Sequence, residues 1–185
     1  SLLQRVIRFS RERHHLLKLL ENIAARDSLT KLYTREAMET KMDELVVHAK
    51  RYDEKFAVLF IDLDNFKPVN DRFGHDAGDQ LIQHVANRLQ MFSRSTDFVA
   101  RFGGDEFVTL LPHVQNIEDA HRDGKQQLIA VCDEYLVSDF DGKVQSVTIS
   151  ASLGISVYGE HGVTSSKLVK VADAAMYDAK KAKKS

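Results

Sequence analysis

The stretch Arg101-Phe102-Gly103-Gly104-Asp105-Glu106-Phe107 decides the fold of this chain. Apolar residues alternate with others on both sides of it, and a period of two predicts strands. Because Gly adopts positive φ without steric cost, the Gly103-Gly104 pair predicts a tight hairpin over about residues 97–111. Two carboxylates, Asp105 and Glu106, follow the turn directly. On their own, two acids after a Gly-Gly turn are typical of a solvated loop.

An upstream stretch favours a different interpretation of these acids. Residues 56–61 are apolar throughout and run into Asp62-Leu63-Asp64, a pattern that predicts a buried central strand ending in carboxylates. A carboxylate at the exit of a buried strand is costly to place without a partner. An ordinary charged loop is one explanation. The other brings Asp62 together with Asp105 and Glu106 as a magnesium site, since Mg²⁺ prefers a few carboxylates plus substrate phosphates.

Several further motifs occur in a fixed order along the chain. They are Asp27-Ser28-Leu29-Thr30, Asp62-Leu63-Asp64-Asn65-Phe66-Lys67, Asn70-Asp71, Gly74-His75 with Gly78-Asp79, and the hairpin stretch itself. In this order and spacing they resemble the GGDEF family of diguanylate cyclases, over roughly residues 27–184. The resemblance implies an α+β fold of the palm-like nucleotidyl cyclase type. Its mostly antiparallel central sheet has a βαββαβ core, surrounding helices and a preceding N-terminal helix.

The resemblance also implies the reaction, in which two GTP give cyclic di-GMP and two pyrophosphates. Each ribose 3'-hydroxyl attacks the α-phosphate of the other GTP, with Mg²⁺ or Mn²⁺ as cofactor. The family's metal ligands correspond to Asp62, the Leu63 backbone carbonyl, Asp105 and Glu106. Asp105 is either a ligand or the group that activates the hydroxyl. Gly103 and Gly104 would let the backbone approach the nucleotide closely.

Residues between the two acidic stretches correspond to the family's nucleotide-binding positions. Asn70 and Asp79 match the guanine readers, and a carboxylate suits the guanine N1 and exocyclic amine donors. Asp79 is equally suited to stabilising a helix N-terminus. Phe66 and Lys67 are expected near the phosphates, where backbone donors are available.

Two lysines near the C-terminus match the family's cations for the terminal phosphates. They are Lys180 and Lys184, spaced one helical turn apart. Lys184 stands where the family has Arg, and Lys does not grip phosphate bidentately. A solvated lysine tail at a helix C-terminus explains Lys184 equally well.

The stretch Arg94-Ser95-Thr96-Asp97 resembles the family's RxxD inhibitory site, just upstream of the hairpin. Arg stacks on guanine and grips phosphate, and Asp accepts from a guanine edge. By itself this pattern is also a common surface ion pair. The family's second arginine, from the following helix, is not obvious here, and Lys125 is the candidate replacement.

Residues 1–26 carry apolar residues at alternating steps of four and three, a pattern that predicts a coiled-coil helix. We expect a stalk for a parallel homodimer, with a helix packed on its own domain as the alternative. The family domain then covers residues 27–185. The chain begins with Ser1, so we expect it to be part of a longer protein, and the family resemblance implies an upstream sensor domain.

Composition indicates the compartment in which the domain works and excludes one class of partner. The single cysteine, Cys132, excludes an internal disulfide and fits a reducing compartment. The net charge of -1 implies no bulk attraction to nucleic acid. We therefore expect a cytoplasmic domain that binds GTP and cyclic di-GMP but no nucleic acid, with any membrane anchor in an upstream region.

The periodicity also predicts the other elements. We expect helices at 35–51, 76–92, 117–135 and 165–183, strands at 56–62, 144–149 and 151–157, and a short turn through Pro68. The leading functional hypothesis is an active diguanylate cyclase. The alternatives are a non-catalytic cyclic di-GMP receptor, against which the intact acids argue, and a cyclase for another nucleotide, against which Asp79 argues.

Overall fold

A four-stranded antiparallel sheet forms the centre of the computed structural model, which describes residues 25–183. The sheet has the order β2-β3-β1-β6, and β4 and β5 form a separate hairpin. The strands are β1 (Phe56–Asp64), β2 (Phe98–Gly103), β3 (Glu106–Pro112), β4 (Glu134–Ser138), β5 (Val144–Thr148) and β6 (Ser150–Val157). The helices are α1 (Arg35–Tyr52), α2 (Phe66–Phe73), α3 (His75–Met91), α4 (Ile117–Val131) and α5 (Ser165–Ala182). The α+β fold and the βαββαβ order of the main sheet are therefore confirmed.

Strand β1 is central because its apolar sequence lets it be covered on both faces. All of its residues are buried, and β3 and β6 pair with its two edges. In this register Asp62 lies opposite Glu106 on β3 and opposite Ser152 on β6. The acidic end of β1 is thereby brought beside the acidic hairpin.

The helices cover the two faces of the sheet. Helices α1 and α5 pack apolar side chains against one face of β1. This cluster includes Met38, Met42, Leu168 and Met176 from the helices and Val58 and Phe60 from β1. Helix α3 contributes to the main cluster on the other side, which includes Ile61, Leu63, Leu81, Val85 and Leu89. Helix α4 contributes Ala120 to a smaller cluster, which also includes Leu59 of β1 and Ile155 of β6. None of the helices between residues 25 and 183 is long and apolar enough to cross a membrane.

Two predicted elements need correction. The expected turn through Pro68 is the helix α2, because a proline in the first turn removes only an N–H that has no partner within the helix. The helix expected to reach residue 135 ends at Val131, and β4 begins at Glu134 with alternating exposed and buried residues. The stretches expected at 144–149 and 151–157 belong to different sheets, as β5 and β6.

Most of the predicted N-terminal helix, residues 1–26, falls outside the described residues. The division into a helix of residues 1–26 and a domain of residues 27–185 therefore stays a prediction.

Candidate active site

The hairpin between β2 and β3 has a two-residue turn at its tip. Gly103 pairs with Glu106, so Gly104 and Asp105 form the turn, and Gly104 has a φ of 43° that favours glycine. The backbone N–H of Leu63 donates to the Asp105 carbonyl at 3.2 Å. This bond ties the tip of the hairpin to the end of β1.

Arg101 holds the tip of the hairpin from the side. Its Nε and Nη2 atoms donate to the Gly104 carbonyl at 3.0 and 2.9 Å, and its Nη1 lies 3.4 Å from Asp27 Oδ1. Asp27 in turn accepts from the Thr30 N–H and hydroxyl at 2.8 and 2.7 Å. Arg101 and Asp27 both belong to the family motifs, but they are 74 positions apart, so their contact is not predictable from the local sequence.

Three carboxylates come close enough at this edge of the sheet to influence one another's protonation. Burial raises the pKa of Asp105, and the negative charge of Asp62 raises it further. Burial likewise raises the pKa of Glu106, followed by the charges of Asp62 and Asp105. Raised pKa values of this kind are typical of buried carboxylates beside other negative charges.

Lys180, on the last turns of α5, supplies a counter-charge at this edge. Its ammonium donates to Asp62 Oδ1 and lies 3.5 Å from the Leu63 carbonyl oxygen. Burial acts to lower the pKa of Lys180, but the hydrogen bond to Asp62 and the nearby carboxylates outweigh it and raise the pKa. The ammonium thus contacts two of the oxygens that the family resemblance assigns to a metal.

The donor set suits a hard divalent cation, although the acids are not gathered around one point. Within residues 25–183 no group of three or more His, Cys, Asp or Glu side chains is arranged to hold a metal ion. The predicted cluster of Asp62, Asp105 and Glu106 is therefore not preformed, which is expected for like charges without a cation between them. The fit rests on carboxylate and carbonyl oxygens, the ligands of Mg²⁺, and on the position of the Lys180 ammonium.

A second acid on β1 has a different environment, which the sequence analysis missed. Asp64 is 7% exposed and accepts from Ser150 Oγ at 2.9 Å and from Ser152 Oγ at 2.8 Å. Lys183 Nζ donates to it at 2.9 Å and also donates to the Ala151 carbonyl. Burial opposes ionisation of Asp64, but these hydrogen bonds outweigh it and lower its pKa.

Helices α2 and α3 form the wall where the nucleotide positions lie. A Cβ on Gly78 would lie 1.8 Å from Asn70 Oδ1 and 3.2 Å from the Phe66 ring, so glycine is required for this packing. The first turn of α2 lacks a side-chain cap, because Asn65 makes no capping hydrogen bond. Its N–H groups are of the kind that bind phosphate.

The remaining predicted nucleotide residues are arranged around this wall. Lys67 is exposed in the first turn of α2, and Asp79 is exposed directly after Gly78 on α3. The structure thus brings Phe66, Lys67, Asn70 and Asp79 to two adjoining helices. Lys184 lies outside the described residues, so its phosphate role stays a prediction.

The Arg94–Asp97 stretch forms a turn directly before β2. The Arg94 N–H donates to Asp97 Oδ2 at 2.7 Å, and the Asp97 N–H donates to the Arg94 carbonyl at 3.0 Å. The Arg94 guanidinium is paired with Asp123 on α4, with Nη2 and Oδ2 3.0 Å apart. The helix expected to supply a second cation through Lys125 therefore supplies a carboxylate to Arg94.

Comparison with known proteins gives a consistent assignment. A family model described as diguanylate cyclase, GGDEF domain, matches residues 24–185. MucR of Pseudomonas aeruginosa, a bifunctional diguanylate cyclase/cyclic di-GMP phosphodiesterase, is 41% identical over 161 residues, covering 87% of this chain and 23% of MucR. The chain thus spans about a quarter of MucR, and 36% of the diguanylate cyclase TpbB from the same organism.

Solved structures agree with this assignment. The GGDEF domain of TpbB, also called YfiN, superposes with a TM-score of 0.77 at 39% identity, covering 85% of this chain and 89% of that one. The coiled coil and GGDEF domain of DgcB from Caulobacter crescentus, in complex with c-di-GMP, superposes with a TM-score of 0.82 at 26% identity, covering 98% and 93%. The chain belongs to the GGDEF-domain family of diguanylate cyclases.

Proposed function

We propose that this chain is an active diguanylate cyclase domain that condenses two GTP into cyclic di-GMP and two pyrophosphates. The observation that carries the proposal is the group of Asp62, Asp105 and Glu106 at one edge of the sheet. Burial and the charge of Asp62 raise the pKa values of Asp105 and Glu106, as expected for acids at a cation-binding site. A non-catalytic receptor does not require these three acids at one edge of the sheet.

We infer distinct roles for the residues of this edge. Asp62, the Leu63 carbonyl and Glu106 would hold Mg²⁺ or Mn²⁺, which neutralises phosphate charge when bound. Asp105 lies in the turn, and its raised pKa favours accepting the proton of the attacking 3'-hydroxyl. Lys180 would exchange its contact with Asp62 for the terminal phosphates of GTP, together with Lys184.

The wall of α2 and α3 would hold the rest of the nucleotide. The first turn of α2, with Phe66 and Lys67, would bind phosphates, and the absence of a side-chain cap there supports this role. Asn70 and Asp79 would read the guanine edge, because a carboxylate accepts from two donors that adenine does not present in the same arrangement. Preference for GTP over ATP follows from this arrangement.

A dimer is part of the proposal because each domain offers one such site and the reaction joins two nucleotides. Two domains must therefore face each other, and residues 1–26 are the segment expected to pair them. Product inhibition through Arg94 and Asp97 completes the proposal. A coupling of about 1–3 kcal/mol between product binding and turnover is the usual size for such regulation.

The decisive experiment is incubation of the purified protein with GTP and Mg²⁺, followed by identification of the product by mass. We expect cyclic di-GMP from the wild type and a loss of about 10²- to 10³-fold in turnover for Glu106→Gln, the usual cost of removing one electrostatic group at a reacting centre. Asp173→Asn is the matched control, since Asp173 influences Glu106 only through its charge.

Undiminished product from Glu106→Gln would contradict the assignment. Binding of cyclic di-GMP without any turnover of GTP by the wild type would instead support the receptor alternative.

A further inference from the structure

A pocket opens beside the Arg94–Asp97 turn. Its volume is about 300 Å³, and it is lined by Arg26, Tyr33, Gln90, Ser93, Arg94, Ser95, Asp97 and Val99. The residues around this space carry two guanidinium groups, a phenol ring and a carboxylate. Guanine nucleotides are recognised by such groups, because Arg grips phosphate and stacks on bases while a carboxylate accepts from the guanine edge.

Asp97 has unused hydrogen-bonding capacity in this pocket. Its Oδ2 accepts from the Arg94 N–H, but its Oδ1 is shielded from water and has no hydrogen-bond partner within residues 25–183. Burial raises the pKa of Asp97 and outweighs the nearby Arg94 charge. A buried acceptor without a donor costs free energy, so a movement of the Arg94–Asp97 turn that brings Oδ1 to a ligand donor would relieve that cost.

Arg26 is held in place on the opposite side of the pocket. Its guanidinium lies 3.7 Å from the centre of the Tyr33 ring, and its Nη1 donates to the Lys31 carbonyl at 3.3 Å. Tyr33 is itself fixed to β2, since its N–H donates to the Val99 carbonyl at 3.1 Å. The positive charge of Arg26 is thus attached to the sheet and does not depend on a long flexible loop.

We propose that Arg26 supplies the second guanidinium of a cyclic di-GMP site in this pocket, the role for which the sequence suggested Lys125, and that Asp123 competes with the ligand for Arg94. The inference rests on the inhibitory site of the proposed function and names the residues that build it in this chain. Lys125 does not line the pocket, whereas Arg26 does.

Asp123 competes with the ligand because its carboxylate already forms an ion pair with Arg94. The pair has an Nη2–Oδ2 distance of 3.0 Å, and the Arg94 side chain is 60% exposed. Arg122 lies 3.9 Å from Asp123, so Asp123 keeps a cationic neighbour when Arg94 turns toward a phosphate. The affinity for the ligand is therefore set by the difference between two contacts of Arg94.

The test is calorimetric titration of the purified protein with cyclic di-GMP. Arg26→Met should weaken binding about 10- to 100-fold, the cost of a hydrogen bond to a charged group. Lys125→Met changes the net charge equally and should weaken binding less than about twofold. Asp123→Asn should strengthen binding about two- to fivefold, as expected for release of an exposed ion pair.

Two results would overturn the inference. One is an equal or larger effect of Lys125→Met, and the other is no binding to the wild type at tens of micromolar. GTP turnover is measured separately, so failure of the cyclase assignment is distinguishable from failure of this site. If Arg26→Met also lowers the melting temperature, Arg26→Lys decides, because it keeps the charge and must bind more tightly than Arg26→Met for the inference to stand.

Discussion

Asp62 and Asp64 stand two residues apart on β1, and their carboxylates have opposite environments. Asp64 accepts from two serine hydroxyls and from Lys183, and these bonds lower its pKa. Asp62 accepts from Lys180 but lies among acids whose pKa values its own charge raises. Both carboxylates are almost buried, at 9% and 7% exposure, so burial alone does not account for the difference.

The difference is one of charge balance. The donors around Asp64 come from β6 and from the end of α5, and together they satisfy one carboxylate. Around Asp62, Asp105 and Glu106 the cations are Lys180, Arg101 and Arg35, and together they do not offset the burial and repulsion that raise the pKa values of Asp105 and Glu106. A folded domain gains stability from the first arrangement and loses some from the second, which is common where binding or catalysis requires an unsatisfied charge.

The largest expected difference is between Asp64→Asn, which should mainly lower stability, and Asp62→Asn, which should mainly lower activity. Asp64→Asn removes the charge that three donors face, and we expect a loss of about 2–3 kcal/mol in the free energy of unfolding. Asp62→Asn should cost little stability but lower cyclase turnover about 10²- to 10³-fold. Urea unfolding and turnover per folded molecule measure the two effects. Equal unfolding free energies for the two variants would remove the distinction.

The lysines provide a smaller contrast along α5. The Lys180 ammonium contacts Asp62 and the Leu63 carbonyl, two expected metal ligands, so it should compete with a metal in the absence of nucleotide. Lys180→Met should therefore tighten Mn²⁺ binding about three- to tenfold, comparable with the worth of a partly exposed ion pair. Lys183→Met, the matched control, should leave Mn²⁺ affinity unchanged because Lys183 contacts Asp64 instead.

Calorimetry with Mn²⁺ and no GTP makes this measurement without reference to activity. Weaker Mn²⁺ binding by Lys180→Met would show that Lys180 supports the metal site and does not compete for it.

Local patterns in the sequence were sufficient for the elements that position the site. The Gly103-Gly104 turn and the apolar run of β1 depend on neighbouring residues, and the structure contains both where they were expected. Helix α2 was missed because Pro68 suggests a turn, although a proline in a first helical turn is tolerated. Strand β4 was missed because its short alternating sequence follows a helix without a strong break.

Contacts between segments that are distant in the sequence could not be predicted from it. Lys183 reaches Asp64 across 119 positions, and Arg94 pairs with Asp123 across 29. Nothing in the local sequence distinguishes Lys183 from its lysine neighbours, and nothing links Arg26 to the Arg94 turn. These contacts follow from the packing of α4, of α5 and of the segment before α1 against the sheet.

The smallest expected effect is the dependence of stability on pH. The pKa values of Asp105 and Glu106 are raised on folding, so the folded state holds their protons more tightly than the unfolded state does. Their destabilising contribution is absent below their unfolded pKa values, near 3.8 and 4.5, and is complete once the pH exceeds the folded values. Asp64 has the opposite sign, because its lowered pKa gives a stabilising contribution that is lost only in acid below 3.8.

Above the unfolded pKa values of the two acids, therefore, the raised pair should dominate the pH dependence of stability. Glu106→Gln removes one repelling charge, and we expect it to melt at a higher temperature than the wild type at pH 7.5, with a smaller advantage at pH 4, below the unfolded pKa of 4.5 for Glu106. Thermal melts without metal or nucleotide measure this directly, and Asp173→Asn again serves as the control for a nearby charge. A Glu106→Gln protein that melts below the wild type at both pH values would mean that Glu106 makes favourable contacts. The acids around Asp62 would then not destabilise the fold, and the contrast with Asp64 would be lost.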